Sequence, residues 1–172
     1  MRSRIIDSVP RLRYFWIVTT QETIEALPPE ALFAQLGIVP QVCPASNLGK
    51  AYKSVARVFE DCFKDAVITT IQFSVLVHIQ VLDKPGCSDL ATHLGSDPST
   101  VSRIIETLVK KKLVNSRCGA DRRTREYCLT PAGVEAVQAG LEAWSIAHRR
   151  IMERIGVERW NQLLALLQFL ND

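Results

Sequence analysis

The stretch that decides the fold runs from Ser88 to Leu129 and reads SDLATHLGSDPSTVSRIIETLVKKKLVNSRCGADRRTREYCL. Its first part is a short helical segment that ends at Gly95, a residue suited to the left-handed conformation just after a helix. Asp97 and Pro98 then form a helix start, because aspartate is a favoured N-cap and proline costs nothing at the first helical position. Two short helices joined by so tight a turn predict a helix-turn-helix.

The helix that starts at Pro98 has two chemically different faces. Apolar residues recur along it at helical spacing: Val101, Ile104, Ile105, Leu108 and Val109. The remaining face is polar and basic: Ser99, Thr100, Ser102, Arg103, Glu106 and Lys110. This pattern predicts a helix that buries its apolar stripe and leaves hydroxyl groups and positive charge free.

Two strand-like runs follow, at 113–117 and 125–129, around a turn that contains Gly119 and Asp121. They predict a β-hairpin with a basic tip. A helix-turn-helix followed by such a hairpin is a winged helix. Thr130 and Pro131 then repeat the cap-and-proline pattern and begin a long helix.

Positive charge is concentrated in the same part of the chain. Residues 99–125 hold eight basic and two acidic residues, a net charge of +6, whereas the other residues hold 13 basic and 16 acidic residues, a net charge of −3. A basic stripe on a slightly acidic protein is typical of nucleic-acid binding, because Lys and Arg replace the counterions condensed on the polyanion. A solvated helix face would show the same charge run, so the stripe supports nucleic-acid binding only in combination with the helix-turn-helix.

The segments on either side of the winged helix predict the rest of the architecture. Residues 1–45 hold five of the eight prolines and form an N-terminal extension, with a short helix over 30–36. Ser46 is the expected N-cap of the next helix, and Thr70 that of a buried helix through Leu82. Apolar stripes at about 46–65 and 131–171 exceed the needs of a small winged helix and predict dimerisation helices. We therefore expect a mainly α fold with a small β-wing: a winged helix-turn-helix at about 69–130 plus a helical dimerisation bundle, within a domain of 46–172.

Composition limits the class of protein. The 172 residues are 47% hydrophobic and 23% charged, which is typical of a globular chain. No apolar run approaches the ~18 residues of a membrane span, and the N-terminal apolar run is too short for a secretion signal. The five cysteines are odd in number and lack C-x-x-C spacing, so we expect reduced thiols in a cytoplasmic protein without membrane association.

Six short motifs resemble one known family in order and spacing from about residue 46 to the C-terminus. They are Gln72-Phe73-x-Val75-Leu76, Asp89-Leu90-Ala91-x-x-Leu94, Asp97-Pro98-Ser99-Thr100-Val101-Ser102-Arg103, Leu113-Val114, Asp121-Arg122-Arg123 and Leu129-Thr130-x-x-Gly133. Together they resemble the multiple-antibiotic-resistance regulator (MarR) family. The resemblance implies a homodimeric transcription regulator, usually a repressor, that binds pseudo-palindromic double-stranded DNA and releases it on binding a small aromatic or phenolic ligand.

By this resemblance, the second helix of the helix-turn-helix enters the major groove and the hairpin tip reaches the minor groove. The DNA-binding candidates are Ser99, Thr100, Ser102, Arg103, Lys110, Asp121, Arg122, Arg123 and Arg125. Two features depart from the family. Lys112 stands where glycine is usual. Residues 1–45 have no counterpart in the family core. They are either an extra helical segment that covers the dimer interface or residues included because an upstream start codon was chosen in error.

Aromatic residues on the flanking helices are the candidates for an effector site: Tyr52, Phe59, Phe73 and Trp144. Core packing is the more common role for each of them singly. Cys43 and Cys62 are candidates for an alternative, a thiol-based redox regulator of the same fold. A second alternative is a winged helix that serves only as a protein-interaction module. The sequence contains no catalytic or phosphate-binding motif and no metal-ligand spacing, so we expect neither an enzyme nor a cofactor.

Overall fold

The computed structural model describes residues 39–118 and 125–171. Its elements are α1 (Val39–Val42), α2 (Pro44–Phe63), α3 (Thr70–Val81), α4 (Cys87–Leu94), α5 (Pro98–Lys110), β1 (Val114–Cys118), β2 (Arg125–Leu129), α6 (Pro131–Ile155) and α7 (Val157–Asn171). The predicted mainly α fold with a small β-wing is confirmed. The short helix predicted over 30–36 lies outside the described residues.

The chain divides into two compact units, Met1–Ser54 and Val55–Asp172, and the division falls within α2. In the first unit, Asn47 Nδ2 donates hydrogen bonds to the carbonyl oxygens of Gln41 (3.0 Å) and Cys43 (2.9 Å). Helix α2 begins at Pro44, so the prediction of Ser46 as its N-cap is wrong. Proline suits the first helical position, which allows the earlier start. The predicted domain boundary at 45–46 stays a prediction.

Helix α3 begins with a capping box that the sequence analysis placed one residue too late. The Oγ1 of Thr69, not of Thr70, accepts a hydrogen bond from the Gln72 backbone N–H (3.4 Å). In return, Gln72 Oε1 accepts one from the Thr69 N–H (3.2 Å). The helix is also less buried than predicted, since Val81 is 74% exposed. His78 is satisfied within the helix, with its Nδ1 2.8 Å from the Ser74 carbonyl oxygen.

The core of the second unit lies between α3, α4, α5 and the two strands. Its largest fully buried side chains are Val75, Leu76, Ile79, Leu90, Val101, Leu108 and Val114. Strands β1 and β2 pair antiparallel from Val114–Leu129 to Cys118–Arg125. The Tyr127 backbone N–H donates a hydrogen bond to the Pro85 carbonyl (3.1 Å), which ties β2 to the loop before α4.

Helix α6 begins as predicted, with Thr130 as N-cap and Pro131 as first residue, and Thr130 Oγ1 accepts a hydrogen bond from the Gly133 N–H (3.0 Å). Small residues let α6 approach its neighbours closely, because a Cβ added to Gly140 would overlap the Phe73 ring. Much of its predicted apolar stripe is exposed nevertheless, including Leu141. None of the helices within 39–118 and 125–171 is long and apolar enough to cross a membrane.

The turn after α5 holds a lysine in an unusual backbone conformation. Lys112 has φ +60°, in the left-handed region that a side chain disfavours. Its N–H donates to the Val109 carbonyl (2.9 Å), and its own carbonyl accepts from Thr130 Oγ1 (2.8 Å). The glycine that the family resemblance implies at this position would adopt the same turn without a Cβ.

We expect Lys112→Gly to raise the free energy of unfolding by about 0.5–1 kcal/mol, since relief of the left-handed strain outweighs the added freedom of the unfolded chain. Lys110→Gly, in the last helical turn, is the matched control and should lower the free energy of unfolding by about 0.5–1 kcal/mol. Urea denaturation followed by circular dichroism measures both. Destabilisation by Lys112→Gly would show that the turn carries no such strain.

Candidate nucleic-acid interface

The turn between α4 and α5 has the geometry that the sequence predicts. Gly95 adopts φ +57°, and its N–H donates to the Thr92 carbonyl (3.2 Å), while the Ser96 N–H donates to the Ala91 carbonyl (3.0 Å). These bonds satisfy carbonyls that the end of α4 leaves free. Asp97 is the N-cap of α5 through its extended backbone, although its carboxylate forms no capping hydrogen bond. The helix-turn-helix is therefore confirmed.

Helix α5 buries one face and exposes the other. Val101, Ile105 and Leu108 are buried, whereas Val109, predicted to be buried, is 38% exposed. The polar candidates divide as their spacing implies. Ser99, Thr100, Arg103 and Lys110 are exposed, and Ser102 is half-buried at the edge of the stripe.

An open concavity of about 660 Å³ lies between α4 and the start of α5. It is lined by Ser88, Ala91, Thr92, Gly95, Ser96, Asp97, Pro98 and Thr100. The sequence analysis did not single out Ser88 and Thr92, although their four-residue spacing places both hydroxyls on one face of α4. The concavity thus extends the polar surface of α5 across the turn.

The three lysines at the end of α5 are placed differently. Lys110 is an exposed residue of the last helical turn. Lys111 reaches away from the helix, and its Nζ donates to the Val67 carbonyl (2.8 Å) and to Gln72 Oε1 (3.2 Å). Lys112 forms the left-handed turn. All three lysines are exposed, but the Lys111 ammonium already has acceptors within the protein.

The described parts of the hairpin carry two exposed arginines, Arg117 on β1 and Arg125 on β2. Because Arg117 pairs with Glu126 and Arg125 pairs with Cys118, the two arginines are on opposite faces of the hairpin. The tip, with the candidates Asp121, Arg122 and Arg123, lies outside the described residues.

Strand β2 of the hairpin carries a buried tyrosine, Tyr127. Burial, the nearby Cys87 thiol and Glu106 raise the pKa of the Tyr127 phenol, and Arg125 partly opposes them. Burial likewise raises the pKa of Cys87, whose Sγ lies 3.5 Å from the Pro98 carbonyl oxygen. Both groups are therefore neutral near pH 7, and the thiol lacks the lowered pKa that reactive cysteines show.

The four aromatic effector candidates fall into two groups. Phe73 is buried in the core with its ring centroid 5.4 Å from that of Phe63, and Phe59 packs against the same core. Tyr52 is 73% exposed, and Trp144 is 37% exposed with its ring stacked on His148 at 4.8 Å. Of the four candidates, Tyr52 and Trp144 are the two with exposed aromatic surface.

The two cysteines proposed as redox candidates lie in different surroundings. Cys43 is half-buried just before α2, and Cys62 is half-buried against the hydrophobic core. Among the described residues, no group of three or more His, Cys, Asp or Glu side chains could hold a metal ion.

A helix-turn-helix followed by a two-stranded antiparallel hairpin defines the winged-helix class of DNA-binding proteins. Residues 68–124 match the model of the MarR family, described by that name. The match covers the winged helix, about a third of the chain, and over these residues the predicted resemblance to the MarR family is confirmed.

Solved structures share the fold at low sequence identity. The repressor CouR bound to a 23-mer DNA duplex matches with a TM-score of 0.73 at 22% identity, over 80% of this chain and 97% of that one. BpsR of Bordetella bronchiseptica, whose DNA binding is regulated by 6-hydroxynicotinic acid, matches with a TM-score of 0.71 at 23% identity, over 76% and 94%.

A mutant of E. coli MarR complexed with operator DNA has a TM-score of 0.71 at 20% identity, over 77% of this chain and 97% of that one. No curated protein matches the sequence. The family and these neighbours are transcription regulators rather than enzymes.

Proposed function

We propose that the protein is a homodimeric, ligand-responsive regulator, a repressor by default, that binds pseudo-palindromic DNA through α5. The observation that carries the proposal is the free face of α5, where Ser99, Thr100 and Arg103 are exposed beside an open concavity. Hydroxyl groups and a guanidinium on the first turns of a helix can contact phosphates and base edges in the major groove. Ser102 at the edge of this face and Lys110 farther along the helix extend it.

The hairpin would supply the contacts to the minor groove. Arg122, Arg123 and Arg125 bring positive charge to and beside its tip, and Asp121 orients the central arginine by the family resemblance. A narrow minor groove attracts guanidinium groups because its negative potential is enhanced. Arg117, on the opposite face of the hairpin from Arg125, would be left for a phosphate or for solvent.

Exposed apolar side chains on the flanking helices support a second copy as partner. They are Leu48, Tyr52, Val134, Leu141, Trp144, Ile146, Val157, Leu163, Leu164, Leu166, Phe169 and Leu170. So much apolar surface along α2, α6 and α7 is typical of an interface rather than of a monomer surface. Two copies would present two α5 helices, which must lie about 34–36 Å apart to occupy successive major grooves.

Small-molecule control is supported by one structural neighbour, since the DNA binding of BpsR is regulated by 6-hydroxynicotinic acid. An aromatic acid is therefore the class of effector to test first. Tyr52 and Trp144 are the candidates with exposed aromatic surface for stacking. A 10-fold loss of DNA affinity on effector binding would need a coupling free energy of only about 1.4 kcal/mol.

Arg103→Ala tests the proposed role of α5. We expect about a 10-fold or greater loss of affinity for a duplex that the wild-type protein selects from a random-sequence pool, because a base or phosphate contact is removed. If the contact is to a phosphate, the slope of log affinity against log salt concentration should also fall by about one. Fluorescence anisotropy at several salt concentrations measures both quantities.

Arg149→Ala, which removes an exposed arginine on α6, is the matched control and should change neither quantity. Equal effects of the two substitutions would remove α5 from the proposed interface. A wild-type protein without salt-dependent affinity for any duplex would favour the protein-interaction module instead.

A further inference from the structure

The second lysine of the run at the end of α5 has acceptors within the protein. The Nζ of Lys111 donates to the Val67 carbonyl oxygen at 2.8 Å and to Gln72 Oε1 at 3.2 Å. Val67 lies between α2 and α3, 44 residues earlier in the chain, and Gln72 lies in the first turn of α3, 39 residues earlier; we call residues 67–72 the α2–α3 segment. The side chain therefore links the end of α5 to the start of α3.

Other hydrogen bonds in the protein fix one of these acceptors, the Gln72 amide oxygen. Gln72 Oε1 already accepts the Thr69 backbone N–H (3.2 Å), and Thr69 Oγ1 accepts the Gln72 N–H (3.4 Å). This capping box fixes the direction of the Gln72 amide oxygen. Because the Gln72 side chain is already ordered, little conformational entropy is lost when the Lys111 ammonium binds it, and this favours a stable hydrogen bond.

The backbone that follows Lys111 is hydrogen-bonded to the N-cap of α6. Thr130 Oγ1 donates to the Lys112 carbonyl (2.8 Å), and the Thr130 N–H donates to the Leu113 carbonyl (3.0 Å). The last turn of α5 is therefore attached through Lys111 to the α2–α3 segment and through Lys112 and Leu113 to the start of α6. These attachments act at the end of α5 opposite to Ser99 and Thr100.

We propose that Lys111 is a positioning residue that holds the C-terminal end of α5 against the α2–α3 segment, and not a DNA phosphate contact. The inference rests on the proposed function, since it assigns to one lysine of the basic run a role in orienting α5 for DNA. Its ammonium is exposed but already bound to two protein acceptors, so we expect it to neutralise no phosphate and to release no counterion from the DNA. Lys110, one residue earlier and exposed, remains a phosphate-contact candidate.

The two neighbouring lysines make a matched test, Lys111→Gln against Lys110→Gln. For Lys111→Gln we expect about a 10-fold loss of affinity for the selected duplex, equivalent to about 1.4 kcal/mol, with the salt slope unchanged. For Lys110→Gln we expect the salt slope to fall by about one. A slope that falls by about one for Lys111→Gln, or an unchanged affinity, would overturn the proposal.

Hydrogen–deuterium exchange of the free protein gives a readout that needs no DNA. Lys111→Gln should speed exchange in the last turn of α5 and in 67–72, whereas Lys110→Gln should leave both unchanged. Lys111→Arg, which keeps a cationic donor, should restore slow exchange. Unchanged exchange in Lys111→Gln overturns the proposal, whereas a wild-type protein that binds no duplex overturns the proposed function and leaves the attachment to be judged by exchange alone.

Discussion

Leu108→Ala is expected to lower the free energy of unfolding by about 2–5 kcal/mol, because it removes a leucine side chain from a packed core and leaves a cavity. Leu108 is 0% exposed and lies on the buried face of α5, with Val101 and Ile105 along the same stripe. Its backbone carbonyl also accepts the Leu113 N–H (3.0 Å), so the residue lies where α5 turns toward the hairpin.

Val109→Ala is the control, since Val109 is adjacent in sequence but 38% exposed. It should lower the free energy of unfolding less than Leu108→Ala does, because Val109 is only partly buried and the substitution removes fewer carbon atoms. Urea denaturation of both variants measures the difference. Similar decreases in the free energy of unfolding for the two substitutions would mean that α5 does not pack with Leu108 buried and Val109 partly exposed.

Local sequence chemistry predicted the parts of the fold that depend on neighbouring residues. The left-handed end of α4 at Gly95 and the N-cap of α6 at Thr130 each involve groups within five residues of one another, so their signals are visible in a short window. The same reasoning placed the cap of α3 at Thr70 instead of Thr69, because two adjacent threonines both suit an N-cap.

The degree of burial was predicted less well. The apolar character of α3 on all sides predicted a buried helix, and periodicity placed Val109 on the buried stripe of α5, yet Val81 and Val109 are both exposed. A helical stripe shows which residues share a face but not how far the neighbouring elements cover it. The exposed apolar residues of α6 raise the same problem, because one chain alone does not show what a second copy would cover.

The least predictable parts of the candidate site are contacts between distant segments. Charge counting placed Lys111 in the basic stripe, whereas its nearest acceptor belongs to Val67, 44 residues away. A pairing at that separation leaves no periodic signal in the sequence. The aromatic candidates show the same limit, since residue type alone did not separate buried Phe73 from exposed Tyr52.

The second large effect is expected at the junction of α5 and α6, from Gly133→Ala. A Cβ added to Gly133 would overlap the backbone carbonyl oxygen of Leu113 and lie 3.1 Å from its carbonyl carbon. That carbonyl cannot move freely, because it accepts the Thr130 N–H at 3.0 Å. We expect the free energy of unfolding to fall by about 1–3 kcal/mol or more, the usual range for an overpacked site, even though alanine is the better helix former.

Gly49→Ala is the control, because it replaces a helical glycine where the added Cβ causes no clash. Gly49 lies within α2, and a Cβ there would meet no atom within 4 Å, so the substitution should raise the free energy of unfolding by about 0.5–1 kcal/mol. Opposite signs for the two variants in urea denaturation are the expected result. Stabilisation by Gly133→Ala would show that α6 does not approach Leu113 this closely, and with it the attachment of the last turn of α5 to α6 would lose its support.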